Sequence, residues 1–142
     1  MNYQIKDVEL EITNICSHKC PYCYNGNGSI VNPYFSDFNT LCAIVDKMKS
    51  VGASRFILLG GDPVEHPQIM ELLAYIKKSG MYVTLMSNTL YFRDNDIDTV
   101  SQYIDEIQFT LHGSTGEEHE EFCKAPAGTY PSIFFASMLL LL

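Results

Sequence analysis

The sequence predicts an α/β protein built on a parallel β-sheet. Strand-like and helix-like segments alternate about four times along its 142 residues. Strands that alternate with helices usually form a parallel sheet with right-handed connections. The short apolar run at 56–59 is typical of a strand that is covered on both faces, as strands of such sheets are. The length of the chain corresponds to one domain.

Four segments carry the strand signal. Apolar and polar residues alternate over 8–13 and over 107–112, which is the period of a strand with two different faces. Residues 56–59 and 82–86 form the other two predicted strands. The polar faces of the first and fourth strands consist of Glu9, Glu11, Gln108 and Thr110.

The helices are predicted from apolar residues at helical spacing and from residues that favour helix ends. Ser36 or Asp37 can cap the first helix, and Ser114 or Thr115 can cap the fourth. Pro67 suits the first position of the second helix. The four predicted helices cover 38–51, 67–79, 94–103 and 116–122.

Composition and charge argue against several classes of partner. The chain has 9 Lys and Arg against 17 Asp and Glu, and its net charge is −8. A protein that follows a nucleic-acid backbone needs a basic surface, and so does one that docks on anionic lipid. We therefore expect no nucleic-acid and no membrane partner. The first residues contain no basic segment followed by an apolar one, so we expect a cytoplasmic protein whose thiols stay reduced.

Three cysteines lie within eight residues, directly after the first predicted strand. Cys16, Cys20 and Cys23 have the spacing C-x3-C-x2-C. A [4Fe–4S] cluster normally takes one thiolate on each iron, so three cysteines leave one iron open. An open iron can bind and activate a small molecule. The spacing therefore predicts a cluster with a ligand site.

The alternative is a structural zinc site, which needs four ligands and typically combines two short motifs. Only one such motif is present in this sequence. His18 is too close to its neighbours to be an easy fourth ligand, and His112 or Cys42 could serve only through the fold. Both the cluster and the zinc interpretations remain open at this point, and the cluster is favoured.

The cysteine loop resembles the signature of the radical SAM superfamily, C-x3-C-x-aromatic-C after a first strand. The resemblance implies a partial (βα) barrel of six units, of which this chain has about four. It also implies that Cys16, Cys20 and Cys23 hold the cluster, and that the open iron binds S-adenosylmethionine. Reductive cleavage of that cofactor to a 5′-deoxyadenosyl radical is the expected activity.

The same resemblance suggests roles for residues in the other loops. Tyr22, the aromatic residue before the last cysteine, is expected near the adenine. Gly60, Gly61 and Asp62 match the family's Gly-Gly-Glu-Pro motif, which holds the methionine ammonium group. Here Asp62 replaces the glutamate and is one methylene shorter.

Two further loops follow the third and fourth strands. Ser87 and Asn88 are expected near the ribose or the substrate, although both residue types are common in ordinary turns. Thr110 and His112 are expected near the ribose or the methionine carboxylate. Some of the polar strand residues are expected to face the inner wall of the barrel.

The remaining cysteines and one histidine are expected to have no role in the site. Cys42 lies beside the apolar face of the first helix, where a buried free thiol is common. Cys123 follows the acidic helix and is not expected to hold an auxiliary cluster. His119, within that helix, is expected at the surface.

The chain departs from the family at its C-terminal end. The fifth and sixth units are missing, so residues 1–130 are predicted to be the N-terminal portion of the core. Residues 131–142 are predicted to be an apolar tail, which is too short for a membrane span of about 20 residues. We expect a truncated form of a longer enzyme.

The sequence thus predicts a radical SAM enzyme or its catalytic N-terminal portion. The Cys-Pro-Tyr-Cys-Tyr and Leu-His-Gly-Ser segments resemble members that modify peptides or proteins. Such an enzyme would need an electron donor such as flavodoxin or ferredoxin. The alternatives are an inactive fragment that holds a cluster or zinc, and a zinc-stabilised binding module.

Overall fold

A computed structural model describes residues 5–25, 31–88, 90 and 96–130. In this part of the chain four parallel strands form one sheet in the order β1-β2-β3-β4. The strands are β1 (Asp7–Glu11), β2 (Arg55–Leu59), β3 (Tyr82–Met86) and β4 (Glu106–Gln108). The helices are α1 (Phe38–Ser50), α2 (Ile69–Lys78), α3 (Asp96–Ser101) and α4 (Gly116–Cys123), with a 3₁₀ turn at Pro63–Glu65.

The α/β class, the parallel sheet and the four strand-helix units are confirmed. The fourth strand is shorter than its alternating pattern predicts, because β4 pairs with β3 only from Glu106 to Gln108. Thr110 and His112 therefore lie in the loop beyond the strand. The second helix begins at Ile69, two residues after Pro67. Pro63 instead opens the preceding 3₁₀ turn.

The hydrophobic core lies on one face of the sheet, beneath α1 and α2. Alternate residues of the central strands point to this face, where they are fully buried against the apolar sides of the two helices. The largest members of this core are Phe56, Ile12, Leu41, Leu58, Leu72, Leu73, Ile76, Leu85, Val45 and Val83. Among the described residues, α1 and α2 thus cover this face of the sheet.

The opposite face of the sheet is polar. The strand register places Glu9 beside Ile57 and Glu11 beside Leu59 on this face. Arg55 crosses it, donating from its guanidinium to Thr84 Oγ1 at 2.9 Å and to Glu106 Oε2 at 2.6 Å. The register thus places Glu9, Glu11 and Gln108 on the face away from α1 and α2. That this face is the inner wall of a barrel stays a prediction.

The helix caps decide between the alternatives left by the sequence. Asp37 caps α1 by accepting a hydrogen bond from Thr40 N at 2.9 Å. Thr115 caps α4 in a reciprocal capping box with Glu118. The third predicted helix begins at Asp96, and the part of that prediction before this residue lies outside the described residues, as does the predicted tail at 131–142. No helix among the described residues is long and apolar enough to cross a membrane.

Candidate functional site

The cysteine loop is joined to the loop after β2 by two short backbone hydrogen bonds. Gly61 N donates to Thr13 O at 2.7 Å, and Asp62 N donates to Ile15 O at 2.7 Å. Both loops leave the carboxyl ends of neighbouring parallel strands, where ligands of α/β proteins bind. The two loops therefore form one unit at the carboxyl edge of the sheet.

Two glycines make this close backbone approach possible. A Cβ atom on Gly60 would lie 2.2 Å from Thr13 O, and one on Gly61 would lie 2.0 Å from Ile15 O. Gly60 also has a φ of +140°, which side chains rarely tolerate. Glycine at these two positions thus allows the cysteine loop to lie directly on the end of β2.

The three predicted ligand cysteines form no disulfide and are partly buried. A turn links two of them, in which Cys23 N donates to Cys20 O at 3.1 Å. The sulfur of Cys23 accepts a hydrogen bond from Asn25 N at 3.4 Å, and that of Cys16 accepts one from Asn88 Nδ2 at 3.5 Å. Burial, reinforced by the nearby Asp62 carboxylate, raises the pKa of Cys16 to about 12. An uncharged thiol is thus favoured in the metal-free chain.

The outer side of the cysteine loop is held by the end of α4 and the turn that follows it. Lys19 N donates to Cys123 O at 3.0 Å. Thr129 Oγ1 donates its hydrogen to Pro126 O at 2.7 Å. The same oxygen therefore accepts the hydrogen bond that it forms with His18 Nε2 at 3.3 Å. His18, Cys123 and Thr129 are all buried. The loop between the first two ligand cysteines is therefore anchored by contacts that sequence patterns did not reveal.

Asp62 is buried, with 1% of its surface exposed, and it connects three segments. Its Oδ2 accepts hydrogen bonds from Ser87 Oγ at 3.1 Å and from Asn88 N at 2.9 Å, while its Oδ1 accepts from Val64 N at 3.2 Å. Burial raises the pKa of Asp62 to about 7, and the hydrogen bonds from Ser87 and Asn88 oppose that rise. Contact with a cofactor ammonium group stays a prediction, since the carboxylate is occupied by protein donors here.

Ser87 and Asn88, which follow β3, lie beside the predicted ligand loop. Their contact with the ribose or the substrate stays a prediction. Both are joined to Asp62, and Asn88 also reaches the sulfur of Cys16. Glu65 forms a second link to the cysteine loop, because its Oε1 accepts a hydrogen bond from Ser17 N at 2.6 Å. No pattern in the sequence indicated this contact, which joins positions 48 residues apart.

Tyr22 and His112 meet at the rim of the site. The Tyr22 hydroxyl and His112 Nε2 share a hydrogen bond, and the two rings are 4.7 Å apart. Phe122 of α4 stacks on both, at 5.8 Å from the Tyr22 ring and 4.9 Å from the His112 ring. Tyr22 still exposes 56% of its surface. Thr110 is exposed beyond β4, and its predicted contact with the cofactor stays a prediction.

The prediction that His119 lies at the surface is wrong. Only 2% of this residue is exposed, and its Nδ1 accepts a hydrogen bond from His112 N at 3.1 Å. Its neutral ring therefore carries the proton on Nε2. Burial lowers the pKa of His119, and nearby His112 lowers it further. In the sequence, the acidic residues around His119 gave no sign that α4 turns this side chain inward, together with that of Cys123.

The donor set fits an iron–sulfur cluster better than a single zinc ion. A cluster takes one thiolate on each iron, whereas zinc needs its ligands to converge on one point. Three cysteines supply the thiolates of a cluster with one open iron, and a structural zinc site would need a fourth ligand from outside this motif. Among the described residues the buried side-chain oxygen of Ser17, next to Cys16, has no hydrogen-bond partner. A buried hydroxyl of this kind suits a site that a larger group completes.

The sequence of the chain matches a known protein family. The model of the Radical SAM superfamily matches residues 10–134. Members of that family use a [4Fe–4S] cluster together with S-adenosylmethionine. The matched region includes the three cysteines that are predicted to be ligands, the end of β1 and all of β2, β3 and β4.

Two curated relatives, both enzymes, share about a quarter of their residues with the matched part of the chain. The PqqA peptide cyclase of Ruegeria pomeroyi is 27% identical over 106 residues, which are 74% of this chain and 28% of the relative. The AdoMet-dependent heme synthase of Methanosarcina barkeri is 23% identical over 117 residues, which are 82% of this chain and 34% of the relative. The chain thus spans about a third of the length of these relatives.

The fold agrees with solved structures of a third protein, SuiB of Streptococcus suis. SuiB bound to S-adenosylmethionine superposes with a TM-score of 0.77 and 16% identity, over 96% of this chain and 32% of that one. SuiB bound to its precursor peptide SuiA gives a TM-score of 0.77, with 31% of that chain covered. At this identity the likeness shows the fold, which is the predicted partial barrel. Because the family model spans most of the sequence, the chain belongs to the radical SAM superfamily.

Proposed function

We propose that Cys16, Cys20 and Cys23 hold a [4Fe–4S] cluster with one open iron, and that this iron binds S-adenosylmethionine. When bound, the cluster would supply the electron for reductive cleavage of that cofactor. The chain would then be a radical SAM enzyme or the N-terminal portion of one. Residues 1–130 would form that portion of the core, in a compartment that keeps thiols reduced.

One observation carries this proposal. Three cysteines that form no disulfide lie on a single loop, and that loop is joined to the ends of β2 and β3 through Gly61, Asp62 and Asn88. Thiolates are the ligands that iron–sulfur clusters require. Anchoring on several sides would hold the loop near its loaded conformation, so that less ordering remains when the cluster forms.

The other predicted site residues have distinct tasks in this proposal. Gly60 and Gly61 would let the backbone approach the methionine part of the cofactor. Tyr22, held by His112 and stacked on Phe122, would offer an exposed aromatic face to the adenine.

The remaining residues of the set lie at the ends of β3 and β4. Ser87 and Asn88 would line the cofactor side of β3, and Thr110 would border the ribose or the methionine carboxylate. Asp62 would position Ser87 and Asn88, because its carboxylate already accepts hydrogen bonds from both.

We further propose that the substrate is a peptide or protein. Two similar proteins support this class, namely the peptide cyclase from Ruegeria pomeroyi and the peptide-bound SuiB. A flavodoxin or ferredoxin is the class of electron donor that such a reaction would need. The polar face of the sheet, with Glu9, Glu11 and Gln108, would be the inner wall that meets the substrate.

Anaerobic reconstitution with iron and sulfide tests the proposed function. We expect about four irons per chain, as one [4Fe–4S] cluster requires, and 5′-deoxyadenosine after reduction with S-adenosylmethionine. Cys16→Ala should abolish both, because it removes one of three ligands. Cys42→Ala is the matched control, since this thiol lies on α1 away from the loop, and it should leave both unchanged.

The other outcomes of this experiment separate the alternatives. A cluster without 5′-deoxyadenosine would indicate a cluster-binding portion that does not position the cofactor. Bound zinc and no iron would contradict the proposed function and support a zinc-stabilised module.

A further inference from the structure

We propose that the Asn88 side chain donates a hydrogen bond to the Cys16 sulfur in the loaded protein and thereby raises the reduction potential of the cluster. This inference rests on the proposed function, and it gives Asn88 a task different from contact with the ribose. Asp62 acts in it as a positioning residue. The starting observation is the contact between Asn88 Nδ2 and Cys16 Sγ at 3.5 Å, formed across 72 positions of the chain.

The orientation of the Asn88 amide follows from its other hydrogen bonds. Leu90 N donates to Asn88 Oδ1 at 3.0 Å, so the oxygen of the amide must face that backbone N–H. The Nδ2 group, which can only donate, then points at the sulfur of Cys16. The side chain therefore presents a donor to the ligand thiol and cannot turn its oxygen there without losing the bond from Leu90.

The backbone of Asn88 is also held in place. Its N–H donates to Asp62 Oδ2 at 2.9 Å, and the adjacent Ser87 Oγ donates to the same oxygen at 3.1 Å. Asp62 is buried and is itself fixed by Val64 N. Since Asp62 N donates to Ile15 O next to Cys16, one residue connects the donor loop and the ligand loop. This arrangement keeps the distance from Asn88 to Cys16 short.

A donor at a ligand sulfur has a defined effect on an iron–sulfur cluster. Hydrogen bonds to the sulfurs withdraw electron density and favour the reduced state, so they raise the reduction potential. Asn88 is a side-chain donor and can be replaced without altering the backbone. Its removal is expected to change the reduction equilibrium about fivefold, which is about 40 mV for a one-electron couple.

Two substitutions distinguish a role of Asn88 as hydrogen-bond donor to Cys16 from a role in the shape of its own loop only. Asn88→Ala removes both the donor and the acceptor for Leu90 N. Asn88→Asp keeps that acceptor and nearly the same shape, but it replaces the donor with a charged oxygen facing Cys16. Asn39→Ala, at an exposed position of α1, is the matched control. Each reconstituted protein is analysed for iron and sulfide, and its midpoint potential is measured by electron paramagnetic resonance during a redox titration.

We expect the midpoint potential of the cluster to be highest in wild type and in Asn39→Ala, lower in Asn88→Ala and lowest in Asn88→Asp. Equal potentials in wild type and both Asn88 variants would overturn the inference while leaving the cluster proposal intact. A potential that falls in Asn88→Ala and not in Asn88→Asp would also overturn it, because only the turn with Leu90 would then matter. If wild type takes up zinc or no cluster, both proposals are overturned together. Asn88→Asp retains the turn, so it provides the answer if the alanine variant does not fold.

Discussion

His119 connects the acidic helix to the rim of the site through one hydrogen bond. Its buried Nδ1 accepts from His112 N, and His112 in turn shares a hydrogen bond with Tyr22. The His112 ring stacks on the His119 ring and also on the Phe122 ring, so it lies between the other two in space. A single neutral imidazole therefore supports the aromatic group that the proposed function places beside the adenine.

The lowered pKa of His119 makes part of the protein's stability depend on pH. Below the usual pKa of 6.5 the unfolded chain binds a proton that the folded chain resists, so acid favours unfolding. The contribution of His119 is complete above pH 6.5 and is lost as the pH falls through the folded pKa. In His119→Asn the amide oxygen can still accept from His112 N, and we expect a smaller loss of stability on acidification than in wild type. Urea unfolding of the metal-free protein between pH 5 and 8 measures this difference.

His119→Ala provides the comparison for that experiment. It leaves the backbone N–H of His112 without its acceptor, and we expect about 1–3 kcal/mol less free energy of unfolding than in wild type above pH 6.5. This difference should shrink as the pH falls, because wild type then loses the contribution of His119. If the stability of His119→Asn falls as steeply with acid as that of wild type, groups other than His119 cause the pH dependence.

Helix α4 is the element that braces the cysteine loop from outside. It begins with the capping box of Thr115 and Glu118, and it ends at Cys123, whose carbonyl accepts from Lys19 N. Its residues His119 and Phe122 also contact the rim. The stability of this one helix therefore affects two sides of the predicted ligand loop.

Removal of the α4 cap should loosen the cysteine loop. Thr115→Ala removes the oxygen that accepts from Glu118 N, which typically costs about 1 kcal/mol. We expect the amide of Lys19 to exchange with deuterium faster, because its acceptor lies at the end of this helix. Hydrogen exchange followed by NMR measures the rate. Asp37→Ala, which removes the cap of α1 at similar cost, is the control that should leave the Lys19 rate unchanged; equal effects of both variants would contradict the prediction.

At the scale of the whole molecule, the site joins segments that are far apart in the sequence. The cysteine loop after β1 contacts residues that follow β2, β3 and α4. Because a cluster would bind the folded arrangement and not the unfolded chain, loading should couple to global stability.

Reconstitution is therefore expected to raise the thermal unfolding midpoint under anaerobic conditions. Removal of iron by a chelator should return the midpoint to that of the metal-free protein, and differential scanning fluorimetry in sealed samples measures both. Cys16→Ala should show neither change, whereas Cys42→Ala should behave like wild type. An unchanged midpoint in a protein that demonstrably holds iron and sulfide would contradict the coupling.

The sequence alone determined the α/β class and the four strands, which depend on local periodicity that a chain displays before it folds. The resemblance of its cysteine motif also led to the family, whereas the role of Cys16, Cys20 and Cys23 as ligands stays a prediction. It also identified Gly60 and Gly61, whose close backbone contacts the structure then explains. The limits of β4 were less well predicted, since strand length depends on pairing with β3.

Only the tertiary structure decided how the loops support one another. The inward turn of His119, the anchoring of Lys19 by Cys123 and the link from Glu65 to Ser17 join positions with no shared local pattern. The same holds for Asp62, whose burial and hydrogen bonds are set by where β3 ends. Contacts of this kind arise when the carboxyl ends of parallel strands meet at one edge, and that meeting is a property of the assembled sheet.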